Sequence, residues 1–350
     1  MRRWIAALVG AAFVITITIA PTANAGLNAE IDLTNPRVVP VYNSRSESPP
    51  TVGDQAGYSA FLYSSRIVFS AAHSEYSFDN DGNKVNFNPY ISFVGKPNTA
   101  AGDYSGVVRV EKKFISKTFR FDGATLGDFV VYVLEKDLIP AAPVKLMTPE
   151  LEKEIRESKT PIKMHGYGEY LDRCVEGEKR PCSFKYKRTS LPRSLTTVLR
   201  TLEEAENIVG YKRPQLSDSL IMNNGMAGFG CGGDSGGPVT TTYKGEFIYI
   251  STTPNGMNGF ACGASPGDDG KGGINYASAV YKHLDIIKEA EDYVAAAIAR
   301  ETAAKAAQAE PSPTPKPSQV AQPKAKKPVT CAKGKTSKKI SAANLKCKRK

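Results

Sequence analysis

The chain has 350 residues, with 46 Lys and Arg against 35 Asp and Glu, three His and six Cys, and 41% of its side chains are hydrophobic and 23% charged. That composition is globular and long enough for one large domain or two small ones, and it excludes wholesale disorder, collagen and a multi-span membrane protein. The net charge of +11 is uneven: residues 311 to 350 hold 12 Lys and Arg and no Asp or Glu, which leaves 34 basic against 35 acidic side chains before them. A neutral body with a basic tail removes the charge argument for a polyanionic substrate.

Arg2 and Arg3 precede an apolar run from Trp4 to Ala20, and Ala23-Asn24-Ala25 offers a small-x-small site for cleavage after Ala25. Residues 1 to 25 are therefore expected to be an export signal rather than a membrane anchor, which would need about 20 apolar residues. An exported chain works where disulfides persist.

From Val38 to Ile287, short β-rich runs alternate with Gly, Pro, Asn and Asp clusters, which predicts an all-β body. Within it, Ser59 to Ser74 reads as a strand, a turn at Ser64-Ser65-Arg66 and a second strand ending on Ala71-Ala72-His73. Gly127-Asp128 leads into the apolar strand Phe129 to Leu134. Cys174 and Cys182 bracket a polar loop after Gly166-Tyr167-Gly168 and are predicted to staple it.

Tyr281 to Gln308 has few helix breakers, many Ala and apolar residues at Leu284, Ile287, Tyr293 and Ile298, which predicts a helix. Residues 288 to 310 of it form an Ala-rich extension. Pro311, Pro313, Pro315, Pro317 and Pro323 then predict an extended spacer over 311 to 330. Cys331 and Cys347 are expected to close a small loop within the basic tail, 331 to 350. That tail resembles short basic tails of exported actinobacterial proteins, which suggests a secreted bacterial origin. Its charge suits a solvated extension or retention on an anionic cell envelope. Nucleic acid is disfavoured, because no aromatic residue follows Pro311 to stack on a base.

The densest chemical signal is Gly230-Cys231-Gly232-Gly233-Asp234-Ser235-Gly236-Gly237-Pro238-Val239. A nucleophilic Ser needs an exposed hydroxyl, converging backbone N–H groups and no side chains blocking an acyl substrate, and glycines on both sides supply this. The string resembles the nucleophile motif of the chymotrypsin-like, trypsin-fold serine proteases. Ala71-Ala72-His73 and Gly127-Asp128 match the family's other two motifs, in its chain order. Asp122 and Asp137 are weaker rivals for the carboxylate: no apolar run directly follows Asp122, and Asp137 sits in the charged turn Glu135-Lys136-Asp137.

This resemblance, spread over about 250 residues and dense at three motifs, implies two packed six-stranded antiparallel β-barrels over 38 to 287. It also implies a Ser-His-Asp triad of Ser235, His73 and Asp128, with the N–H groups of Gly233 and Ser235 as the oxyanion hole. It implies a disulfide between Cys231 and Cys262, no cofactor and no metal. Ser74 stands where relatives often have a Cys, so the first barrel is expected to be less cross-linked. His165 and His283 lack the motif context and read as surface or packing residues.

Other positions bear on specificity and activation. By the resemblance, Phe229 lies at the base of the primary specificity pocket, where an Asp would select Lys or Arg, and Ser251-Thr252-Thr253 forms its wall. Small or medium apolar side chains are therefore expected before the scissile bond. Arg37-Val38 could be a maturation cut closing a short propeptide over 26 to 37, after which the Val38 amine would pair with Asp234. The leading reading is a monomeric, secreted serine endopeptidase acting on protein or peptide. The alternatives are a narrow-specificity esterase or hydrolase, and a non-catalytic binding protein on the same fold.

Overall fold

The computed structural model describes residues 29–44, 56–78, 84–86, 91–95, 106–120, 127–171, 186–188, 191–210, 212–222, 233–253, 255–257 and 274–309. The first strands are β1 (Glu30–Ile31), β2 (Val38–Ser44), β3 (Tyr58–Ser64), β4 (Ile67–Ser70), β5 (Tyr76–Phe78) and β6 (Lys84–Asn86). Then come β7 (Ile91–Gly95), β8 (Val107–Ile115) and β9 (Val130–Leu134). Six of them close an antiparallel barrel in the order β2-β3-β4-β9-β8-β7.

The second half contributes β10 (Lys145–Leu146), α1 (Pro149–Glu157), β11 (Pro161–Gly166), β12 (Glu169–Leu171), β13 (Tyr186–Arg188), β14 (Arg193–Arg200) and α2 (Leu202–Val209). After these come β15 (Leu220–Met222), β16 (Pro238–Tyr243), β17 (Glu246–Thr252), β18 (Asn255–Met257), β19 (Ile274–Ala277) and α3 (Leu284–Ala309). Its main sheet runs β10-β17-β16-β11-β14-β15-β19-β18, with β1 paired on β14. Among the described residues this sheet curls without a strand pair that closes it. The protein is thus mostly β, with one closed barrel, one curled sheet and a C-terminal helix where a helix is predicted.

The continuous apolar runs of β3, β4 and β9 are explained by burial on both faces. Ala60, Leu62, Val68, Val130 and Tyr132 line the barrel interior. Phe61, Tyr63, Phe69, Phe129 and Val131 point the other way, into a core shared with Ile162, Met164, Leu195 and Tyr249 of the second sheet. Full burial of such a side chain contributes roughly 1.5–3 kcal/mol. Tyr249 is the centrepiece, stacked on Phe61 with ring centroids 4.7 Å apart and tilted against Phe69 at 5.2 Å.

The polypeptide divides at Arg300 into two units, and Glu301–Lys350 is described only through the end of α3. Up to that point α3 buries Ile286, Ile287 and Ala290, and it holds the barrel by Tyr63 Oη to Glu291 (2.9 Å) and Lys117 Nζ to Glu289 (2.9 Å).

The segment before Val38, the possible propeptide, is packed on the second sheet. Glu30 and Ile31 pair with Ser194 and Arg193, and Asp32 is 6% exposed and accepts from Thr34 N–H (2.9 Å), Ser194 Oγ (2.8 Å) and Lys163 Nζ (2.9 Å). Burial alone would raise the Asp32 pKa, but these bonds outweigh it and hold the carboxyl well below the usual carboxylate range. Glu30 and Ile31 thus extend the second sheet, and Asp32 is bonded to it through Lys163 and Ser194.

Candidate active site

His73 enters from the end of β4. The β-branched and aromatic run Ile67-Val68-Phe69 keeps the chain extended, and buried Ala71 and Ala72 let it pass into a 3-10 turn over Ala72–Glu75 without a bulky side chain. Asp128 precedes β9 and is fully buried. Its Oδ1 accepts the His73 backbone N–H at 2.7 Å, and its Oδ2 lies 2.6 Å from His73 Nδ1. The first bond places the main chain and the second orients the ring. A carboxylate facing Nδ1 keeps the hydrogen on that nitrogen and leaves Nε2 as the proton acceptor.

The electrostatics agree with this geometry. Burial of the imidazole pulls its pKa down, but the Asp128 charge and hydrogen bond outweigh it, so His73 titrates above its ordinary 6.5. The His73 side chain is 13% exposed, so the ring reaches solvent while its carboxylate partner does not.

The nucleophile loop is clasped onto β3 and β4. Ser59, fully buried, donates its N–H to the Ser235 carbonyl (2.9 Å) and its hydroxyl to the Gly233 carbonyl (2.8 Å), while accepting the Tyr167 N–H at 2.8 Å. On the other side the Gly236 N–H donates to the Thr253 carbonyl (2.7 Å), and the Thr253 N–H to the Gly237 carbonyl (2.5 Å). A Cβ at Gly236 would stand 2.9 Å from Ala71 N, which puts Ser235 and its neighbours against the turn that carries His73. Tyr58, beside Ser59, sets its ring edge-on to His73 with centroids 6.1 Å apart.

Ser251, Thr252 and Thr253 are 0, 1 and 4% exposed. The Ser251 hydroxyl donates to the Ser278 carbonyl (2.6 Å) and that of Thr252 to the Asp128 carbonyl (3.3 Å). In the structure Thr252, at the end of β17, braces the Asp128 loop, while Ser251 holds Ser278. His283 joins them, its ring stacked on Phe129 at 4.6 Å and its Nε2 2.7 Å from Ser278 Oγ, and His165 is buried with Nε2 3.2 Å from Thr240 Oγ1. Both are buried among the described side chains. Phe229 and Cys174, Cys182, Cys231, Cys262, Cys331 and Cys347 lie outside the described residues, so the pocket base and the three disulfides do too.

A pairing of the Val38 amine with Asp234 belongs to a chain cut after Arg37; the uncut chain shows where these residues start from. Val38 is a fully buried residue of β2, its N–H on the Asn35 carbonyl (3.2 Å) and its own carbonyl accepting Tyr167 Oη at 3.2 Å. Arg37 donates Nη1 to the carbonyls of Leu62 (3.1 Å) and Tyr63 (3.0 Å). Asp234, 7% exposed, accepts the Gly168 N–H at 2.8 Å.

Several supports gave no signal in the sequence. Ser74 Oγ donates to the Ala71 carbonyl (2.6 Å) and lies 3.1 Å from Tyr132 Oη, which donates to Glu75 Oε1 (2.5 Å), while Lys113 Nζ holds Glu75 Oε2 at 2.6 Å. This buried network pins the His73 turn to the barrel wall. Removing one hydroxyl leaves its partners unmatched, so Tyr132→Phe is expected to destabilise the fold by about 1–3 kcal/mol, read as a lower denaturant midpoint at unchanged slope.

No family model matches the chain, and no curated protein is significantly similar to it.

Proposed function

We propose that the chain is a secreted serine endopeptidase of the trypsin fold, with the curled sheet as the second barrel of that fold. The observation that carries the reading is the two-bond union of buried Asp128 with His73 beside the clasped Ser235 loop. In this mechanism Ser235 Oγ attacks the carbonyl carbon of a peptide bond as its proton passes to His73 Nε2. His73 then gives that proton to the departing amine, which leaves an acyl-enzyme. Water, deprotonated by the same nitrogen, attacks the ester and releases the new carboxylate while Ser235 regains its proton. The N–H groups of Gly233 and Ser235 receive the oxyanion, and the Asp128 charge stabilises the transient imidazolium.

By its resemblance to the family motif, Phe229 corresponds to the pocket base, which supports a preference for apolar side chains over Lys or Arg. The expected export signal supports a location outside the cytoplasm, and the Lys-rich tail favours retention on an anionic envelope. A fluorophosphonate probe should label the mature chain at Ser235, and Ser235→Ala should abolish labelling. Absence of label on correctly processed, folded wild type would leave the protease reading without support and favour a binding protein.

The pH profile provides a second check. Attack requires neutral His73, whose pKa is raised, so activity is lost as pH falls through that value. The acidic limb of kcat/KM is therefore expected to have its midpoint above 6.5. A midpoint well below 6.5 would contradict the Asp128–His73 assignment.

A further inference from the structure

The outer face of the second sheet carries a groove of about 680 Å³ that the His73–Asp128 chemistry does not use. Strand β11 alternates across the sheet: Ile162 and Met164 enter the core, while Lys163 and His165 line the groove. The turn Thr34–Arg37 borders it, with Phe247 of β17 also on its lining. The volume lies within the range of about 300–1,000 Å³ usual for small-ligand sites.

Two buried polar atoms on residues of this lining have no hydrogen-bond partner among the described residues, Asn35 Nδ2 and His165 Nδ1, on residues 9% and 3% exposed. The other polar ends of these side chains are occupied: Asn35 Oδ1 accepts the Arg37 N–H at 3.1 Å, and His165 Nε2 faces Thr240 Oγ1. Asp32 Oδ2 stands 3.9 Å from His165 Nδ1, too far for a hydrogen bond but placed to favour a hydrogen on that nitrogen. Both unmatched atoms then offer N–H groups. Buried donors are normally satisfied in a folded protein, so two on one groove call for an acceptor.

The charges point the same way. Lys163 is paired with Asp32, whose oxygens are also taken by Thr34 and Ser194, which leaves that carboxylate poorly placed to receive a cation. The Arg37 guanidinium donates to the carbonyls of Leu62 and Tyr63 and has no carboxylate partner among the described residues. Phe247, 38% exposed, adds an apolar patch.

We propose that this groove binds a small organic carboxylate, its oxygens received by Arg37, Asn35 Nδ2 and His165 Nδ1 and its apolar body lying against Phe247. The carboxylate can belong to a free acid or to the C-terminus of a short peptide. The inference stands on the groove alone and is independent of the protease reading.

The test uses full-length mature Ser235→Ala protein, so that no probe is consumed. Isovalerate, isovaleramide, and N-acetyl-Ala-Val as its acid and as its amide are titrated while backbone amide NMR signals are followed. At least one acid should shift the signals of residues 34–37 and 163–165, and neither amide should. Response to isovalerate alone assigns the site to free acids, and response to the peptide acid alone to C-termini. Asn35→Asp, which keeps the Oδ1 acceptor, and Arg37→Met should each weaken binding at least about tenfold. The proposal fails if neither acid shifts these signals, if the amides bind as well as the acids, or if both variants bind unchanged. Should either variant not fold, the acid-against-amide comparison still decides.

Discussion

Asp128→Asn is expected to lower kcat about 10⁴-fold while leaving the thermal midpoint nearly in place. The carboxamide can keep its oxygen toward the His73 backbone N–H, the 2.7 Å bond that positions the turn. Its NH₂ must then face Nδ1, where Oδ2 now lies at 2.6 Å. That forces the hydrogen of the neutral ring onto Nε2, so the nitrogen nearest the substrate can no longer accept a proton. Loss of the negative charge also removes the interaction that raises the His73 pKa, so the acidic limb of kcat/KM should move down. A fall in kcat of less than tenfold, with an unmoved limb, would mean that Asp128 does not orient the base.

Gly237→Ala is expected to destabilise the protein by more than about 3 kcal/mol, at the upper end of overpacking effects, and to remove activity at the same time. A Cβ there would sit 1.8 Å from the His165 carbonyl oxygen and 2.9 Å from that of Asp234. Both are backbone atoms, and neither can swing aside as the tip of a side chain would. Relief requires the nucleophile loop to lift off β11, which also strains the Thr253 contact at Gly237. For a body of this size the expected fall in Tm is at least roughly 6–12 °C. The measurement is a thermal melt of each protein in the Ser235→Ala background, which excludes self-digestion. An unchanged melting curve would show that the loop has slack the structure does not display.

The motifs at His73, Asp128 and Ser235 were legible because each is local: a few neighbours in sequence supply the turn, the small residues or the glycines that the chemistry needs. The residues that hold them together were not, because their contacts cross the chain. Ser59 reaches Gly233 over 174 positions and Thr252 reaches Asp128 over 124, and neither Ser nor Thr carries a pattern that announces a partner. Ser74 was visible as the place of a missing cysteine, but the buried Tyr132–Glu75 pair that secures it was not. The β-class and the terminal helix followed from local pattern, whereas the closing of a sheet depends on its edges, which local pattern does not encode. Arg37-Val38-Val39 is ambiguous for a related reason. A basic residue before two valines looks the same whether it ends a leader or opens a barrel strand, and the pairing of Glu30 and Ile31 with β14 is a long-range contact that local pattern does not encode.

The Thr252 bond to the Asp128 carbonyl joins a strand of the curled sheet to the loop that leads into the closed barrel. The proposed catalytic carboxylate is therefore fixed at a seam, with His73 on the barrel side and the Ser235 loop on the side of the curled sheet. Slippage of one half against the other would disarm the site while each half kept its own hydrogen-bonded strands. On gentle heating or in mild denaturant, peptide-bond cleavage should fade before far-ultraviolet circular dichroism changes, so that the chemistry acts as an early gauge of the fit between the halves.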